Sequence, residues 1–296
     1  MKNIERDIIS ALCNNNVQKA KEYTKIFLEQ NKTKSDEAFC KRMLNVLTSR
    51  GNNLIELPAN VSRFLIMEDV SISFNENRYF LTDREKNVFD EILKMNSVAE
   101  KMSEMQIRYV NSTMLHGESG TGKTTFGRYI AYKLGLPFTY LNLSMTVDSH
   151  LGDTQKNITR AFDYIKSQKC VFMLDEIDAI GMKRGNNNDV TEISRVVISL
   201  MQNIDTLSND VILIGGTNRI DVLDEALLRR FFIKHEVQKP TQEEIKCIAN
   251  KFLADVNYSF IEKEIDDIVS KSKTQSETIN NVISLIAQKI YQCDQQ

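Results

Sequence analysis

A glycine-rich segment between two apolar patterns constrains the fold of this chain more than any other feature. It matches G-x-x-x-x-G-K-[ST], follows the apolar run 109–115 and precedes a helical pattern that ends near Leu134. A strand, such a turn and a helix in this order are typical of a phosphate-binding loop, because glycines let successive backbone N–H groups face one anion and the helix N-terminus adds partial positive charge. The residues assigned to this loop are Gly117, Glu118, Ser119, Gly120, Thr121, Gly122, Lys123, Thr124 and Thr125. An ordinary glycine-rich turn would be the interpretation if the motif stood alone, but other motifs accompany it.

Two carboxylates at the end of an apolar strand complement the loop. The run 171–174 is followed by Asp175 and Glu176, and ligands of open α/β sheets bind at the carboxyl ends of strands. Lys123 is predicted to reach the β- and γ-phosphates, and the Thr124 hydroxyl to ligate Mg²⁺. Asp175 suits the outer sphere of that ion, and Glu176 suits the polarisation of an attacking water. An isolated Asp-Glu pair would be a solvated strand end, whereas the upstream loop favours the catalytic interpretation.

An asparagine and two arginines complete the set of candidate catalytic residues. Asn218 follows the apolar run 211–217 and could bridge the attacking water and the γ-phosphate, although an Asn alone at a strand end is usually a turn residue. Arg229 and Arg230 follow a short apolar helical pattern, where an arginine pair usually lies on the surface. A guanidinium in this place could instead enter the phosphate site of a neighbouring subunit, a contact that can be worth roughly 10³–10⁵ in rate.

The alternation of apolar runs and helical patterns predicts the fold class. Strands are expected at 113–116, 138–143, 170–174, 211–217 and 233–237. Regular strand–helix alternation indicates an α/β domain with a parallel five-stranded sheet flanked by helices. The expected divisions are a helical N-terminal module at 1–53, a linker or hairpin at 54–82, the α/β domain at 83–238 and a small helical lid at 239–296. The α/β domain is expected to start with a helix near Asp83, because Thr82-x-x-Glu85 is a capping-box pattern.

The composition limits which binding partners and which cellular compartment are expected for this protein. The chain has 296 residues, 42% hydrophobic and 26% charged, with a formal net charge of -2, so no global basic field favours nucleic acid. No apolar run approaches the length of a membrane span, and no membrane partner is expected. The N-terminus is polar and the five cysteines are scattered without a C-x-x-C pair. A cytoplasmic protein with reduced thiols is therefore expected.

In combination, these motifs resemble the AAA ATPases over about residues 83–293. The run 174–180 is similar to the family's second nucleotide motif, 216–219 to its first sensor and 223–231 to its second region of homology. The Arg-Arg-Phe form resembles the katanin and spastin branch, and 185–195 resembles small prokaryotic members, some of which accompany subtilisin-like proteases. The resemblance implies a P-loop NTPase sheet and Mg²⁺-dependent ATP hydrolysis at the interfaces of a homo-hexameric ring. It also implies that an arginine finger is supplied by Arg229 or Arg230.

Two departures from the family pattern qualify this resemblance, and a third feature, the lack of an arginine for a second sensor, is one that the classic branch of the family allows. Glu118 and Ser119 replace prolines that many relatives have in the phosphate loop. His150 and Leu151 occupy the place of the first pore loop, where relatives generally have an aromatic residue that grips a threaded polypeptide; a simple loop residue is the alternative for His150. No arginine stands in the place of a second sensor, which the run 276–278 occupies.

Three functions remain open from the sequence. The first is ATP-driven remodelling of a protein client by an oligomeric ring. The second is an ATP-dependent nucleic-acid loader or mobile-element factor, disfavoured because the chain has no helix-turn-helix signature, zinc finger or basic tract. The third is a nucleotide-switched regulator of a partner such as a protease, with the N-terminal helical module as the adaptor.

Overall fold

A six-stranded sheet with a helical layer on each face forms the centre of the protein. The computed structural model describes residues 3–13, 17–30, 40, 43–44, 55, 57–107, 109–146, 151–180 and 189–293. The strands are β1 (Leu65–Glu68), β2 (Asn111–His116), β3 (Phe138–Asn142), β4 (Cys170–Asp175), β5 (Val211–Thr217) and β6 (Ile233–Glu236). Their order is β1-β3-β4-β5-β2-β6, and every neighbouring pair is parallel except β1 with β3.

Helices connect the strands and extend the chain at both ends. The helices of the described part are Asn3–Cys13, Val17–Gln30, Val70–Ser73, Asp83–Glu104, Lys123–Leu134, Leu143–Thr146, Leu151–Ile165, Asp189–Ile204, Glu225–Leu228, Gln242–Asp255, Glu262–Lys271 and Gln275–Cys293. Short 3-10 turns lie at Glu76–Arg78, Ile177–Ala179 and Ile220–Val222. Among these helices, none combines the length and the apolarity needed to cross a bilayer.

The predicted parallel strands are confirmed, with shifts of one or two residues at their ends, and a sixth strand joins them. Strand β1 pairs antiparallel with β3, so that Leu65 lies opposite Leu141. The prediction of a five-stranded sheet missed this edge strand, because its apolar residues Leu65, Ile66 and Met67 show no polar alternation. An antiparallel edge strand on a parallel sheet is a common arrangement in α/β folds.

The hairpin interpretation of 54–82 is wrong. Its first strand was expected where Val70, Ile72 and Phe74 alternate with polar residues. This run instead forms the helix Val70–Ser73, at whose N-terminus the Asp69 side chain accepts a hydrogen bond from the Ser71 amide at 3.1 Å. The Phe74 amide donates to the Val70 carbonyl at 2.9 Å, which is helical spacing. A local cap therefore outweighs the alternating pattern, because an N-cap aspartate satisfies amides that a strand would need to pair elsewhere.

Alternation along the central strands divides the core into two layers. Phe172 and Leu174 of β4 face the helices Leu151–Ile165 and Asp189–Ile204, and the Phe172 ring meets Phe162 edge-on at 5.2 Å between centroids. The intervening Met173 belongs to the opposite layer, which also holds buried residues of the helices Asp83–Glu104 and Lys123–Leu134. Burial on both faces explains why β4 is continuously apolar over residues 170–174.

The lid and the N-terminal helices are the two helical parts outside the sheet domain. The predicted C-terminal helices are present, and they bury Phe252, Ile268 and Val282 in a small core of their own. A link to the sheet domain passes through Arg78, whose Nε lies 2.5 Å from Asp255 Oδ2 of the lid. At the N-terminus, Asn3–Cys13 and Val17–Gln30 contact each other, whereas most of the rest of the predicted N-terminal module, residues 31–53, lies outside the described residues.

The division into two core layers predicts where truncation destabilises the protein. Phe162→Ala should lower the free energy of unfolding by about 3–5 kcal/mol, because the side chain is fully buried against Phe172. Ile198→Ala is the matched control, since Ile198 lies in the same helical layer but is 45% exposed; its loss should stay near or below about 1 kcal/mol. Urea denaturation followed by circular dichroism measures both values. Equal losses for the two variants would contradict this assignment of the core.

Candidate active site

The predicted phosphate loop joins β2 to the helix Lys123–Leu134 at the carboxyl edge of the sheet. Gly117 has a φ of 143°, and a Cβ atom there would lie 2.3 Å from the Val237 carbonyl oxygen. Gly122, the residue before the helix, has a φ of 106°. Side chains are therefore excluded at both positions, the first by a clash and both by backbone conformation. The loop can expose its amides because its glycines adopt conformations that other residues avoid.

Lys123 lies at the centre of the loop and connects it to Asn218. Its Nζ donates to the carbonyl oxygens of Gly117 and Glu118 at 2.7 Å and 2.9 Å, and to Asn218 Oδ1 at 2.8 Å. Burial lowers the pKa of Lys123, while the negative charge of Asp175 acts in the opposite direction. Two residues predicted from separate motifs are thus brought within hydrogen-bond distance.

Thr124 and Asp175 form the second direct contact between predicted residues. Thr124 Oγ1 donates to Asp175 Oδ2 at 2.8 Å, and the amide of Glu176 donates to Asp175 Oδ1 at 3.0 Å. A hydroxyl and a carboxylate are hard oxygen donors, and Mg²⁺ is typically held by one or two such protein groups together with phosphates. The residues present therefore fit a Mg²⁺ ion. Elsewhere in the described residues, no group of three or more His, Cys, Asp or Glu side chains could hold a metal.

Glu176 adopts a backbone conformation that is unusual for its residue type. Its φ and ψ are 55° and 43°, in the left-handed region, where it ends β4 and precedes the 3-10 turn Ile177–Ala179. A residue other than glycine pays about 1–3 kcal/mol for such a conformation. Strain of this kind concentrates at functional sites, and here it bends the chain directly after the carboxylate that faces Thr124.

A cleft of 320 Å³ contains the predicted nucleotide residues and part of the lid. It is lined by Ser119, Gly120, Gly122, Lys123, Thr124, Thr125, Asp175, Glu176, Asn218 and Ser276. Of the other loop residues, Thr121 donates through Oγ1 to the Glu118 carbonyl at 2.9 Å, and the Glu118 carboxylate pairs with Lys239 at 2.5 Å. Ser276 enters from the first turn of the last lid helix. The lid therefore forms one wall of the cleft.

The two predicted arginines lie outside the cleft of their own chain. The Arg229 side chain is 71% exposed and pairs with Glu225, one turn earlier, at 3.2 Å. Arg230 donates to the Ala226 carbonyl at 2.6 Å and to Asp205 Oδ2 at 3.1 Å. The structure thus does not bring the arginine pair to the phosphate loop within one protomer.

The pore-loop prediction has no structural outcome. His150 lies outside the described residues, and Leu151 is the first residue of the helix Leu151–Ile165. Both residues stay predictions.

Two polar residues that contact the site had no predicted role. The Tyr140 hydroxyl donates to Asp175 Oδ2 at 3.3 Å, and burial, followed by the charge of Asp175, raises the pKa of Tyr140. Asp178 Oδ1 accepts from Thr217 Oγ1 at 2.7 Å and from the Asn218 amide at 3.4 Å. The strand pattern marks Tyr140 only as one position of β3; its contact depends on β3 lying beside β4 in the sheet.

Comparison with known proteins agrees with this geometry. A model of the ATPase family associated with various cellular activities (AAA) matches residues 113–239. An uncharacterized AAA family ATPase y4kL of Sinorhizobium fredii is 31% identical over 178 residues, which cover 60% of this chain and 53% of that protein. A proteasome-activating nucleotidase of Methanosphaerula palustris is 35% identical over 182 residues, covering 58% and 43% of the two chains.

A third relative extends the match over more of this chain. The YME1 homolog of Caenorhabditis elegans, an ATP-dependent zinc metalloprotease, is 30% identical over 234 residues, which cover 73% of this chain and 32% of that protein. The chain therefore spans about half the length of these curated relatives or less. The segment matched by the family model contains the phosphate loop, both carboxylates and Asn218, and this chain therefore contains a domain of the AAA ATPase family.

Proposed function

We propose that this protein hydrolyses ATP between the protomers of a homo-hexameric ring and uses the resulting conformational change to remodel a protein client. The observation that carries the proposal is the convergence of Lys123–Asn218 and Thr124–Asp175 on one cleft beside Glu176. Phosphoryl transfer needs positioning and charge stabilisation more than covalent chemistry. A cleft that combines one fixed ammonium group, a hydroxyl and two carboxylates supplies both.

Each residue of the cleft has a separate task in this proposal. Lys123 binds the β- and γ-phosphates, and Thr124 and Asp175 hold Mg²⁺, which when bound neutralises phosphate charge. Glu176 accepts hydrogen bonds from the attacking water and orients it, since its side chain lines the cleft directly after Asp175. Asn218 orients the water from the opposite side and holds Lys123 through its amide oxygen.

Arg229 and Arg230 complete the site of the neighbouring protomer. The proposal rests on the 71% exposure of the Arg229 side chain and on the absence of arginine from the residues that line the cleft of the same chain. Hydrolysis then requires a head-to-tail interface, which closes into a ring when the rotation between protomers divides a full turn. In this mechanism, catalysis therefore requires self-association of the protein.

The protein client is inferred from the relatives and from the lid. One relative is named as a proteasome-activating nucleotidase and another as an ATP-dependent metalloprotease, both of which favour protein as the object of remodelling. In this chain Ser276 of the lid lines the same cleft as the phosphate loop, so nucleotide turnover can change the angle between lid and sheet domain. The pore-loop residues His150 and Leu151 are proposed to contact the client, and a subtilisin-like protease is one partner implied by the family resemblance.

The second candidate function is nucleotide-switched regulation of a partner protein, such as a protease, in the cytoplasm, with the N-terminal helices as the adaptor. Ile9, Leu12 and Ile26 of the two N-terminal helices are 48%, 57% and 39% exposed, which is suited to binding a partner protein. In the described residues Cys13, Cys40, Cys170 and Cys247 are free thiols, which supports a reducing compartment.

Nucleic acid is not proposed as a partner, because the net charge of -2 provides no attraction to phosphate backbones.

The assignment of Glu176 predicts a selective loss of turnover. Glu176→Gln should lower kcat by about 10²–10⁴-fold, because the amide cannot accept a proton or orient water as a carboxylate does. ATP affinity should change by less than about threefold, since Lys123 and Thr124 remain. Steady-state ATPase assays and equilibrium binding of ATP measure the two quantities. Glu243→Gln, on an exposed lid helix, is the control, and normal turnover in Glu176→Gln would contradict the mechanism.

The assignment of the arginines predicts complementation between inactive variants. Glu176→Gln protomers and protomers with Arg229→Ala and Arg230→Ala should each be inactive alone. Mixed and reassembled, they should regain ATPase activity, because an intact acid and an intact arginine pair meet at about one quarter of randomly formed head-to-tail interfaces. ATPase activity is measured across mixing ratios, with Lys166→Ala replacing the arginine variant in control mixtures. A mixture that stays inactive at every ratio would argue against a shared site.

A further inference from the structure

A chain of hydrogen bonds leads from β3 to the carboxylate of Asp175. The Tyr140 hydroxyl donates to Asp175 Oδ2 at 3.3 Å, and Asn142 Nδ2 donates to the Tyr140 oxygen at 3.3 Å. Asn142 Oδ1 in turn accepts from the Ser144 amide at 2.9 Å and from the Ser144 hydroxyl at 2.6 Å. Tyr140 and Asn142 of β3 and Ser144 of the following helix do not belong to the motifs that identified the site.

The direction of each proton in this chain follows from the donors and acceptors available. Asn142 uses its amide oxygen for Ser144, so its nitrogen faces Tyr140, and an amide nitrogen can only donate. The Tyr140 oxygen accepts that hydrogen bond, and its single proton therefore points to Asp175. Ser144 thus sets the orientation of Asn142, and Asn142 sets that of the tyrosine hydroxyl.

The pairing of β3 with β4 places the Tyr140 hydroxyl beside the Asp175 carboxylate. In the parallel pair of β3 and β4, Asn142 lies opposite Asp175 and Tyr140 lies opposite Met173. Residues 140 and 142 share one face of β3, because side chains alternate along a strand. The ring of Tyr140 also lies 6.4 Å from that of Phe138, so its orientation is supported by packing as well as by hydrogen bonds.

We propose that Tyr140 is a positioning residue that holds the Asp175 carboxylate in the orientation required for binding Mg²⁺ together with a nucleotide. Asp175 Oδ2 accepts from Tyr140 and from Thr124, but the Thr124 oxygen is also the expected metal ligand. Tyr140 has no such second task, and its donor is dedicated to the carboxylate. Partners behind a metal ligand commonly determine metal affinity, with losses of about 10–100-fold when they are removed. This inference rests on the proposed function of the cleft.

The test is Tyr140→Phe in the 296-residue chain, which removes the hydroxyl and keeps the ring. A fluorescent ADP analogue is bound in EDTA and then across a Mg²⁺ titration. The Mg²⁺ concentration at half-maximal tightening should rise about 10-fold, while the affinity in EDTA changes by less than about twofold. A purely structural role for the hydroxyl would weaken binding in both conditions or lower the thermal midpoint of the nucleotide-free protein.

Two further variants sharpen the measurement. Asn142→Ala should shift the Mg²⁺ requirement in the same direction by about threefold, because it removes the group that orients the hydroxyl. Tyr164→Phe, on the helix Leu151–Ile165, is the matched control and should leave the Mg²⁺ titration unchanged. A wild-type Mg²⁺ requirement retained in Tyr140→Phe would overturn the role of Tyr140. Nucleotide binding by the wild-type protein that ignores Mg²⁺, or is absent, would instead overturn the proposed function of the cleft.

Discussion

The parallel order β4-β5-β2 is the constraint on which the rest of the site depends. Because these three neighbouring strands run in one direction, their carboxyl ends meet at one edge of the sheet. Asp175 is the last residue of β4, and Asn218 and the phosphate loop directly follow β5 and β2 at this edge. Lys123 and Thr124 then reach across from the first turn of the following helix to Asn218 and Asp175 at 2.8 Å each. Close packing around these buried strands fixes where they end, and a site placed on strands is positioned more precisely than one placed on loops.

The sequence was sufficient to predict the parallel strands and all residues that line the cleft except Ser276, because these predictions depend on local patterns. A glycine-rich loop requires backbone freedom at Gly117 and Gly122, and that requirement is readable without knowing the fold. The edge strand β1 and the role of Tyr140 were not predictable in this way. Both depend on which strands are neighbours, and β3 is the common neighbour that pairs β1 on one side and β4 on the other.

The hairpin error has a related physical origin. Alternating apolar residues over five positions fit one face of a strand, but Val70 and Phe74 are also one helical turn apart. The outcome was decided by Asp69, whose carboxylate caps the short helix through the Ser71 amide and also accepts from the Ser71 hydroxyl at 2.6 Å. In short segments a single cap can exceed the small energetic difference between helical and extended backbone.

The contacts of Arg229 and Arg230 within their own protomer affect how readily either side chain could join a site shared with a neighbouring protomer. Arg229 is held by an exposed ion pair to Glu225, a contact worth no more than about 1 kcal/mol, so a phosphate-bearing partner could displace it at low cost. Arg230 is held more firmly, since a backbone carbonyl and Asp205 both accept from its guanidinium and its side chain is only 30% exposed. The two arginines therefore differ in availability, because Arg229 is held by an exposed ion pair, whereas Arg230 is tied to the helix Glu225–Leu228 through the Ala226 carbonyl and also to Asp205.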